Sequence, residues 1–301
     1  MNKLVLGTAQ FGLDYGINNL NGKPTREKSL EILDFAWQKG IKIFDTAYAY
    51  GDAEEILGEF LQNRDFDKEI KIITKLGPHI VSKSKGTMRD IITANLEKSL
   101  NRLKQDYVNG YLLHTPEYIR ENKIVSVLCD LKKQGLVKNI GVSIYEEADA
   151  IYAAKLKEVD YIQIPYNIFD QRLDRTDFFK ITKENNVKVF ARSPFLQGLI
   201  LMEEDRIPVH LSEVKKYLRE LDVIRSRYNF SRPEVSFLFS FMNPNIDYVV
   251  FGVDNTRQLK EYINIVAEKK ESFAACRKEL ASAFVGIKKS IIFPSLWSKK
   301  D

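Results

Sequence analysis

The sequence predicts an α/β fold, a (β/α)8 TIM barrel with an additional C-terminal helix and tail. Three observations predict it: short apolar runs alternate with helical patterns, the alternation recurs eight times, and polar residues follow the apolar runs. The length of 301 residues suits one such barrel. Because no Pro/Gly/Ser linker and no change of composition divides the chain, we predict a single domain over residues 1–301. A doubly wound open sheet is the alternative architecture.

Eight strands are predicted from short, continuously apolar runs, which are typical of parallel strands buried on both faces. An open doubly wound sheet usually follows its first strand with a G-x-G-x-x-G turn. Here the first strand leads into Gly7-Thr8-Ala9-Gln10-Phe11-Gly12, which does not match, so the closed barrel is favoured. The predicted strands are Lys3–Gly7, Ile41–Phe44, Ile70–Thr74, Val108–Leu113, Asn139–Val142, Tyr161–Ile164, Val187–Ala191 and Tyr248–Phe251.

Amphipathic helices are predicted between the strands, because apolar residues recur there at helical spacing. The helix predicted over Arg26–Lys39 has an apolar face made of Leu30, Leu33, Ala36 and Trp37. The helix predicted over Met88–Leu103 has an apolar face made of Ile91, Ile92, Leu96 and Leu100. Beyond the eighth unit, Ser272–Phe284 predicts the additional helix. The lysine pairs 288–289 and 299–300 predict a solvated tail.

Composition and charge exclude several classes of protein. Hydrophobic residues make up 44% of the chain and charged residues 29%, as in a globular protein rather than a disordered one. The longest apolar runs, such as Tyr248–Val253, are too short to cross a bilayer, and we see no signal peptide. We therefore expect a cytoplasmic protein with no membrane partner. The net charge of +5, the two cysteines and the three histidines favour neither a nucleic-acid partner nor a metal site.

Polar residues directly follow most of the predicted strands. The chemistry of barrel enzymes takes place at this end, because the loops that follow the strands meet there. Polar residues that recur at this position therefore indicate a functional site rather than polar loop residues without a common role. The residues are Asp45 and Tyr50 after the second strand, Lys75 after the third, His114 after the fourth, Ser143 after the fifth, Gln163 and Asn167 at the sixth, Arg192 and Ser193 after the seventh, and Gly252 after the eighth.

Four of these residues could act together as a general acid. A free tyrosine has a pKa of about 10, so Tyr50 needs a nearby cation to donate a proton at neutral pH, and Lys75 can supply it. Asp45 can hold Lys75 in place, and His114 can donate a hydrogen bond to a carbonyl oxygen. Such a group polarises a carbonyl and protonates the developing alkoxide. It supplies no hydride, which must then come from a cofactor.

Six segments together resemble the aldo-keto reductase superfamily, in the family's order, from Leu4 to about Val266. The resemblance implies a nicotinamide cofactor bound in an extended form across the C-terminal face of the barrel, and hydride transfer to a carbonyl carbon. It also implies that Tyr50 is the general acid and that Asp45, Lys75 and His114 are its partners. The matching segments are Phe44–Gly51, Ile73–Lys75, Leu112–His114, Gly141–Ser143, Gln163–Asn167 and Ser193–Leu199.

The resemblance further implies NADP(H) as the cofactor. Two departures stand at nicotinamide positions: Ile144, where many members have Asn, and Arg192, where many have an aromatic residue. A third stands at the adenosine end, where Gly252, Asp254 and Gln258 replace the usual phosphate-binding cations, so NAD(H) is the alternative. Arg257 and Lys260 could compensate. The expected cofactor-binding residues are Gly7, Thr8, Ala9, Asp45, Ser143, Gln163, Arg192, Ser193, Leu196, Gly198, Gly252, Val253, Asp254 and Gln258.

The expected partner is a small carbonyl compound. The opening Gly7–Gly12 with Asp14-Tyr15-Gly16 resembles reductases associated with bacterial surface-polysaccharide pathways, which points to a sugar or nucleotide-sugar. A non-catalytic subunit that binds nicotinamide nucleotide is the alternative function. A barrel with phosphate-dependent chemistry is a third, which the missing glycine-rich phosphate loop disfavours. The expected substrate contacts are Phe11, Tyr15, Tyr48, His114, Tyr145 and Arg172.

Overall fold

The protein forms a closed parallel barrel in which each strand pairs with the next and the eighth pairs with the first. A computed structural model describes residues 2–62, 69–269 and 271–297. The predicted (β/α)8 architecture is confirmed. The strands are β1 Leu4–Gly7, β2 Ile43–Asp45, β3 Lys71–Leu76, β4 Gly110–Leu113, β5 Ile140–Ser143, β6 Tyr161–Pro165, β7 Lys188–Arg192 and β8 Tyr248–Phe251.

Helices cover the outside of the barrel. None of the helices in the described ranges is long and apolar enough to cross a membrane. The α-helices are α1 Ala9–Gly12, α2 Arg26–Gln38, α3 Ala53–Gln62, α4 Ile80–Lys83, α5 Met88–Leu103, α6 Asn122–Lys133, α7 Glu147–Ala154, α8 Phe178–Glu184, α9 Val214–Arg227, α10 Arg232–Phe241, α11 Thr256–Glu268, α12 Ala274–Ala283 and α13 Lys289–Ile292.

A small apolar cluster fills the interior of the barrel beneath the site. Because side chains alternate along a strand, the residue two places further on points to the same side, one layer higher. From Ile43 this rule leads to Asp45, and from Ile73 it leads to Lys75. The same step leads from other cluster residues, and from Tyr161 packed against them, to Gly7, His114, Gln163, Arg192 and Gly252. The cluster consists of Val5, Ile43, Ile73, Leu112, Phe190 and Val250.

The two amphipathic helices differ in how well their buried faces were predicted. In α5 all four expected residues are buried. In α2 the buried residues are Ser29, Ile32, Leu33 and Ala36, and the expected Leu30 and Trp37 pack against the core from its edge. Both are only half-buried. The serine hydroxyl can face inward because it donates to the Thr25 carbonyl oxygen at 3.0 Å.

The C-terminal region departs from the predicted solvated tail. The additional helix exists as α12, but the chain then continues into α13 and packs against the barrel, with Ile291, Ile292 and Phe293 buried. Lys288 pairs with Glu213 at 2.9 Å, and Lys289 pairs with Glu146 at 2.5 Å. The prediction failed because it weighed the lysines and overlooked the apolar run beside them. Residues 299 and 300 lie outside the described part of the chain.

Candidate active site

A buried ion pair lies at the centre of the site. The Lys75 ammonium contacts Asp45 Oδ1 at 2.6 Å, and the two side chains are 0% and 4% exposed. Lys75 Nζ also donates to the Thr46 carbonyl oxygen at 2.8 Å. Gln163 Nε2 donates to the other carboxylate oxygen of Asp45, also at 2.8 Å. Both oxygens of Asp45 are therefore occupied, and the pair is held rigidly between β2, β3 and β6.

Tyr50 and His114 stand beside this pair. Their rings meet edge to face, with centroids 5.8 Å apart and an interplanar angle of 84°. Lys75 Nζ lies 5.1 Å from the centroid of the Tyr50 ring. The structure thus brings together the four residues that the sequence grouped. Nδ1 of His114 is buried and has no hydrogen-bond partner within the described ranges.

The pKa of Tyr50 moves in the direction opposite to our expectation. Burial raises it well above its ordinary value, and the carboxylate of Asp45 raises it further. We expected Lys75 to lower this pKa, but Lys75 is already paired with Asp45. The cation that opposes the rise is Arg192. Tyr50 therefore stays protonated at neutral pH and can donate a hydrogen bond or a proton.

Burial also keeps His114 neutral. It lowers the pKa of His114 to about 3, and the charges of Lys75 and Arg192 act in the same direction. Burial likewise lowers the pKa of Lys75, against the opposing effect of Asp45. A neutral imidazole can donate one hydrogen bond without adding a positive charge to the site.

The lowered pKa of His114 predicts acid sensitivity of the fold. Between pH 6.5, its ordinary pKa, and about pH 3 the unfolded chain binds the proton and the folded chain does not. The free energy of unfolding therefore falls as the pH falls through this window, by at most about 1.4 kcal/mol per pH unit. Urea denaturation at a series of pH values should show a shallower fall for His114→Asn. The exposed His210→Asn is the control, and parallel profiles for His114→Asn and the wild type would contradict the assignment.

A groove runs from Tyr50 across the C-terminal face of the barrel and is open to solvent. Glycines and polar side chains in its wall can contact a bound small molecule or cofactor. Most of the residues expected to bind a cofactor lie in its wall. These are Gly7, Ala9, Asp45, Gln163, Arg192, Ser193, Gly198, Gly252, Asp254 and Gln258.

Four other expected cofactor residues do not line this groove. Leu196 and Val253 are buried in the apolar core, which their side chains favour over a polar wall. Thr8 is buried and donates its hydroxyl to the Asp45 carbonyl oxygen at 3.2 Å. Ser143 is buried at the end of β5, opposite Gln163 in the strand register.

Sequence reasoning missed a contact between two loops over the groove. The Ile17 amide donates to the Gln197 carbonyl oxygen at 3.0 Å. Gly198 has a φ of +91°, and a Cβ there would lie 2.7 Å from the Cβ of Asn18. The side chain of Gln10 fills the space over Gly252, where a Cβ would lie 2.1 Å from its Oε1. No local pattern marks these residues, because the barrel brings the loops together from distant parts of the chain.

The outer end of the groove is acidic and polar. Asp254 N donates to Gln258 Oε1 at 2.7 Å, and Gln258 Nε2 returns a bond to Asp254 Oδ2 at 3.2 Å. Burial raises the pKa of Asp254. Asn255 caps the start of α11 by accepting from the Gln258 amide at 2.9 Å. Within the described lining, Arg192 is the only Lys or Arg side chain, because Arg257 and Lys260 have exposed side chains that do not line it.

The expected substrate contacts divide into two groups. Tyr15 lines the groove with Tyr50, and burial raises the pKa of Tyr15 to about 12. His114 contacts Tyr50, and the Tyr145 ring supports the Arg192 guanidinium at 4.3 Å. The remaining three are engaged elsewhere: Phe11 is fully buried in the core, Tyr48 packs against Arg102, and Arg172 is ion-paired with acidic neighbours.

Over the described residues, no group of three His, Cys, Asp or Glu side chains could hold a metal ion.

Comparison with known proteins places this arrangement in a family. The chain is 27% identical to the uncharacterized oxidoreductase YqkF of Bacillus subtilis strain 168, covering 87% of this chain and 90% of that one. It is 23% identical to the NADH-specific methylglyoxal reductase of Escherichia coli K12, covering 94% and 95%.

A thermostable aldo-keto reductase, Tm1743, solved with the inhibitor epalrestat, superposes with a TM-score of 0.71. It is 25% identical to this chain, covering 94% of this chain and 95% of that one. A sequence profile described as the Aldo/keto reductase family matches residues 3–280. The chain therefore belongs to the aldo/keto reductase family and is an oxidoreductase.

Proposed function

We propose that this protein reduces an aldehyde, ketone or keto-sugar to an alcohol, with hydride from a nicotinamide nucleotide and with Tyr50 as the general acid. The observation that supports it is the buried network of Asp45, Lys75 and Gln163 beneath Tyr50 and His114, at the inner end of the groove. A protein that only bound nucleotide would have no need of a proton donor held against a buried ion pair. The non-catalytic alternative is therefore the weaker one.

The residues of the groove fit a dinucleotide. Glycines 7, 198 and 252 line it, and glycine allows a ligand to approach the backbone closely. The inner wall contains Gln163, whose side-chain nitrogen donates to Asp45 and whose side-chain oxygen can accept a hydrogen bond from a carboxamide. Ser143, beside it, is the other expected carboxamide partner. The nicotinamide would supply the hydride that no side chain of this site can supply.

The side chains divide the remaining chemistry among them. Tyr50 stays protonated until it meets the negative charge that develops on the carbonyl oxygen, and then transfers its proton. His114 is neutral and donates a hydrogen bond to the same oxygen, which fixes its position. Asp45 and Lys75 keep Tyr50 oriented, and after proton transfer the charge of Arg192 stabilises the phenolate.

The function is tested by cofactor binding followed by turnover. We expect NADH or NADPH to quench the intrinsic fluorescence of the protein. The loss of absorbance of the reduced nicotinamide can then be used to screen small aldehydes, keto-sugars and nucleotide-sugars as substrates. If neither nucleotide binds, the reductase proposal fails. Binding without turnover of any carbonyl would favour the non-catalytic alternative.

We further propose that NADH is accepted, because Asp254 stands where a cation would pair with the 2′-phosphate of NADPH. Its carboxylate can accept from a ribose hydroxyl and repels a phosphate. The E. coli relative named as NADH-specific supports this choice. Asp254→Arg should raise the preference for NADPH over NADH by about 10-fold or more, since charge-assisted hydrogen bonds contribute about 1.5–3 kcal/mol.

The ratio of the two dissociation constants measures that preference. Glu268→Arg adds the same charge at the far end of α11 and should leave the ratio unchanged. An unchanged ratio in Asp254→Arg would contradict the role of Asp254.

A further inference from the structure

The guanidinium of Arg192 is a cation in the groove that lacks an acidic partner. It lies at the end of β7 and lines the groove together with Tyr15 and Tyr50. Its polar contacts are with neutral groups: the Ile144 carbonyl oxygen at 3.2 Å and Ser193 Oγ at 3.5 Å. Among the ion pairs of the described residues, none includes Arg192. Its positive charge is thus held in place but not neutralised.

The neighbouring charged groups are paired with one another. Lys75 is paired with Asp45 at 2.6 Å. Arg172 is paired with Asp170 at 2.8 Å and with Glu147 at 2.8 Å. Asp170 acts on Arg192 at longer range, without an ion pair between them. Arg192 is half-buried in the wall of a groove that is open to solvent, so an anion that enters the groove can reach its unpaired charge.

The geometry holds the guanidinium ready to bind. The ring of Tyr145 supports it from one side at 4.3 Å, and that ring in turn packs against Phe293 of the C-terminal segment at 6.0 Å. A guanidinium held against an aromatic ring has a fixed plane, and the N–H groups that do not bond Ile144 and Ser193 remain available at its edge. Carboxylate and phosphate oxygens match that fork and form charge-assisted hydrogen bonds with it.

The reacting centre, rather than the outer groove, is where this charge acts. Arg192 belongs to the same interior layer as Asp45, Lys75 and Gln163, two residues beyond Phe190 of the cluster that fills the barrel. Its charge also acts on Tyr50 and His114, lowering the pKa of each. Ser193, Gln197 and Gly198, in the loop beyond it, line the groove further along.

We propose that Arg192 binds a carboxylate or phosphate group of the carbonyl substrate, which makes the enzyme selective for anionic carbonyl compounds. This inference rests on the proposed reductase function and narrows its substrate class. The other source of an anion is the diphosphate of the cofactor, which would give Arg192 a role in nucleotide affinity instead.

The test compares para-formylbenzoate with its methyl ester, which share the reacting aldehyde and differ in charge. The ratio of their kcat/KM values should fall by about 10- to 100-fold in Arg192→Met, as expected for loss of a hydrogen bond between charged groups. Any effect of the lost charge on Tyr50 is common to both substrates and cancels in the ratio. Arg192→Lys should restore part of the ratio, because it keeps the charge but not the fork.

Arg89→Met is the matched control, because Arg89 is exposed on α5 and pairs with Asp130 on the outer surface. Binding of the product acid, para-(hydroxymethyl)benzoate, measured by calorimetry, is a second readout that needs no turnover. Weaker binding in Arg192→Met, with the neutral ester unaffected, supports the proposal. An unchanged ratio with unchanged acid binding overturns it, as does a loss confined to the Kd of NADH or NADPH. Absence of all carbonyl turnover in the wild type would instead refute the proposed function.

Discussion

Tyr50→Phe is expected to lower kcat for carbonyl reduction by about 100- to 10,000-fold, the usual contribution of a positioned general acid. The substitution removes only the hydroxyl that protonates the alkoxide. The ring stays in place against His114, so the Kd of the cofactor should change little. Steady-state reduction of an accepted aldehyde, with fluorescence titration of the nucleotide, separates the two effects.

Tyr248→Phe is a matched control for this loss. It removes the same hydroxyl at the opposite end of the barrel, where β8 begins and Tyr248 stacks on Phe190 at 4.5 Å. This variant should keep its activity. Normal turnover in Tyr50→Phe would contradict the assignment of the acid, and so would an equal loss in both variants.

Lys75→Met is expected to lower the free energy of unfolding by about 3–5 kcal/mol, because it leaves the buried carboxylate of Asp45 without its partner. Gln163 would remain on one oxygen of Asp45, and a single neutral donor does not replace an ammonium. Activity should be lost together with stability, since the same pair orients Tyr50. Urea denaturation measures the loss of stability.

The double variant Asp45→Asn with Lys75→Met separates the ion pair from simple loss of packing. If the penalty comes from the unpaired charge, the double variant should be more stable than Lys75→Met alone, and the two effects should not add. Simple additivity would contradict the coupling. Arg120→Met is the surface control: its pair with Asp149 is exposed, so its removal should change the free energy of unfolding by about 1 kcal/mol or less.

The group proposed to act as the acid was predictable because the position of a strand end is a local property of the chain. Asp45, Lys75 and His114 lie at the ends of predicted strands, and these ends meet on one face of a barrel. Tyr50 was added by a motif rather than by periodicity, since it lies in the loop after β2. A comparison of Tyr50 with Tyr48 shows the limit of prediction from the sequence. Both tyrosines lie in the loop after β2, yet Tyr50 faces the groove and Tyr48 packs on Arg102.

The loops were less predictable, because their positions depend on contacts between distant segments. Ile17 and Gln197 form their hydrogen bond over the groove only after β1 and β7 have taken their places in the barrel. Arg172 is paired with Asp170, two residues away in the chain, and with Glu147 at the start of α7. Arg192 has no ion pair among the described residues, and the position of Glu147 beside Arg172 rather than Arg192 depends on the fold.

The sequence by itself predicted the barrel and the four residues of the proposed acid, because apolar runs, strand-end positions and the motif that contains Tyr50 are properties of short stretches of chain. Tertiary structure alone decided the electrostatics. Burial raises the pKa of Tyr50 and lowers that of His114. Lys75 forms an ion pair with Asp45, whereas Arg192, which lines the groove beside Tyr50, has no ion pair among the described residues. Each of these depends on distances between atoms that the chain order does not contain.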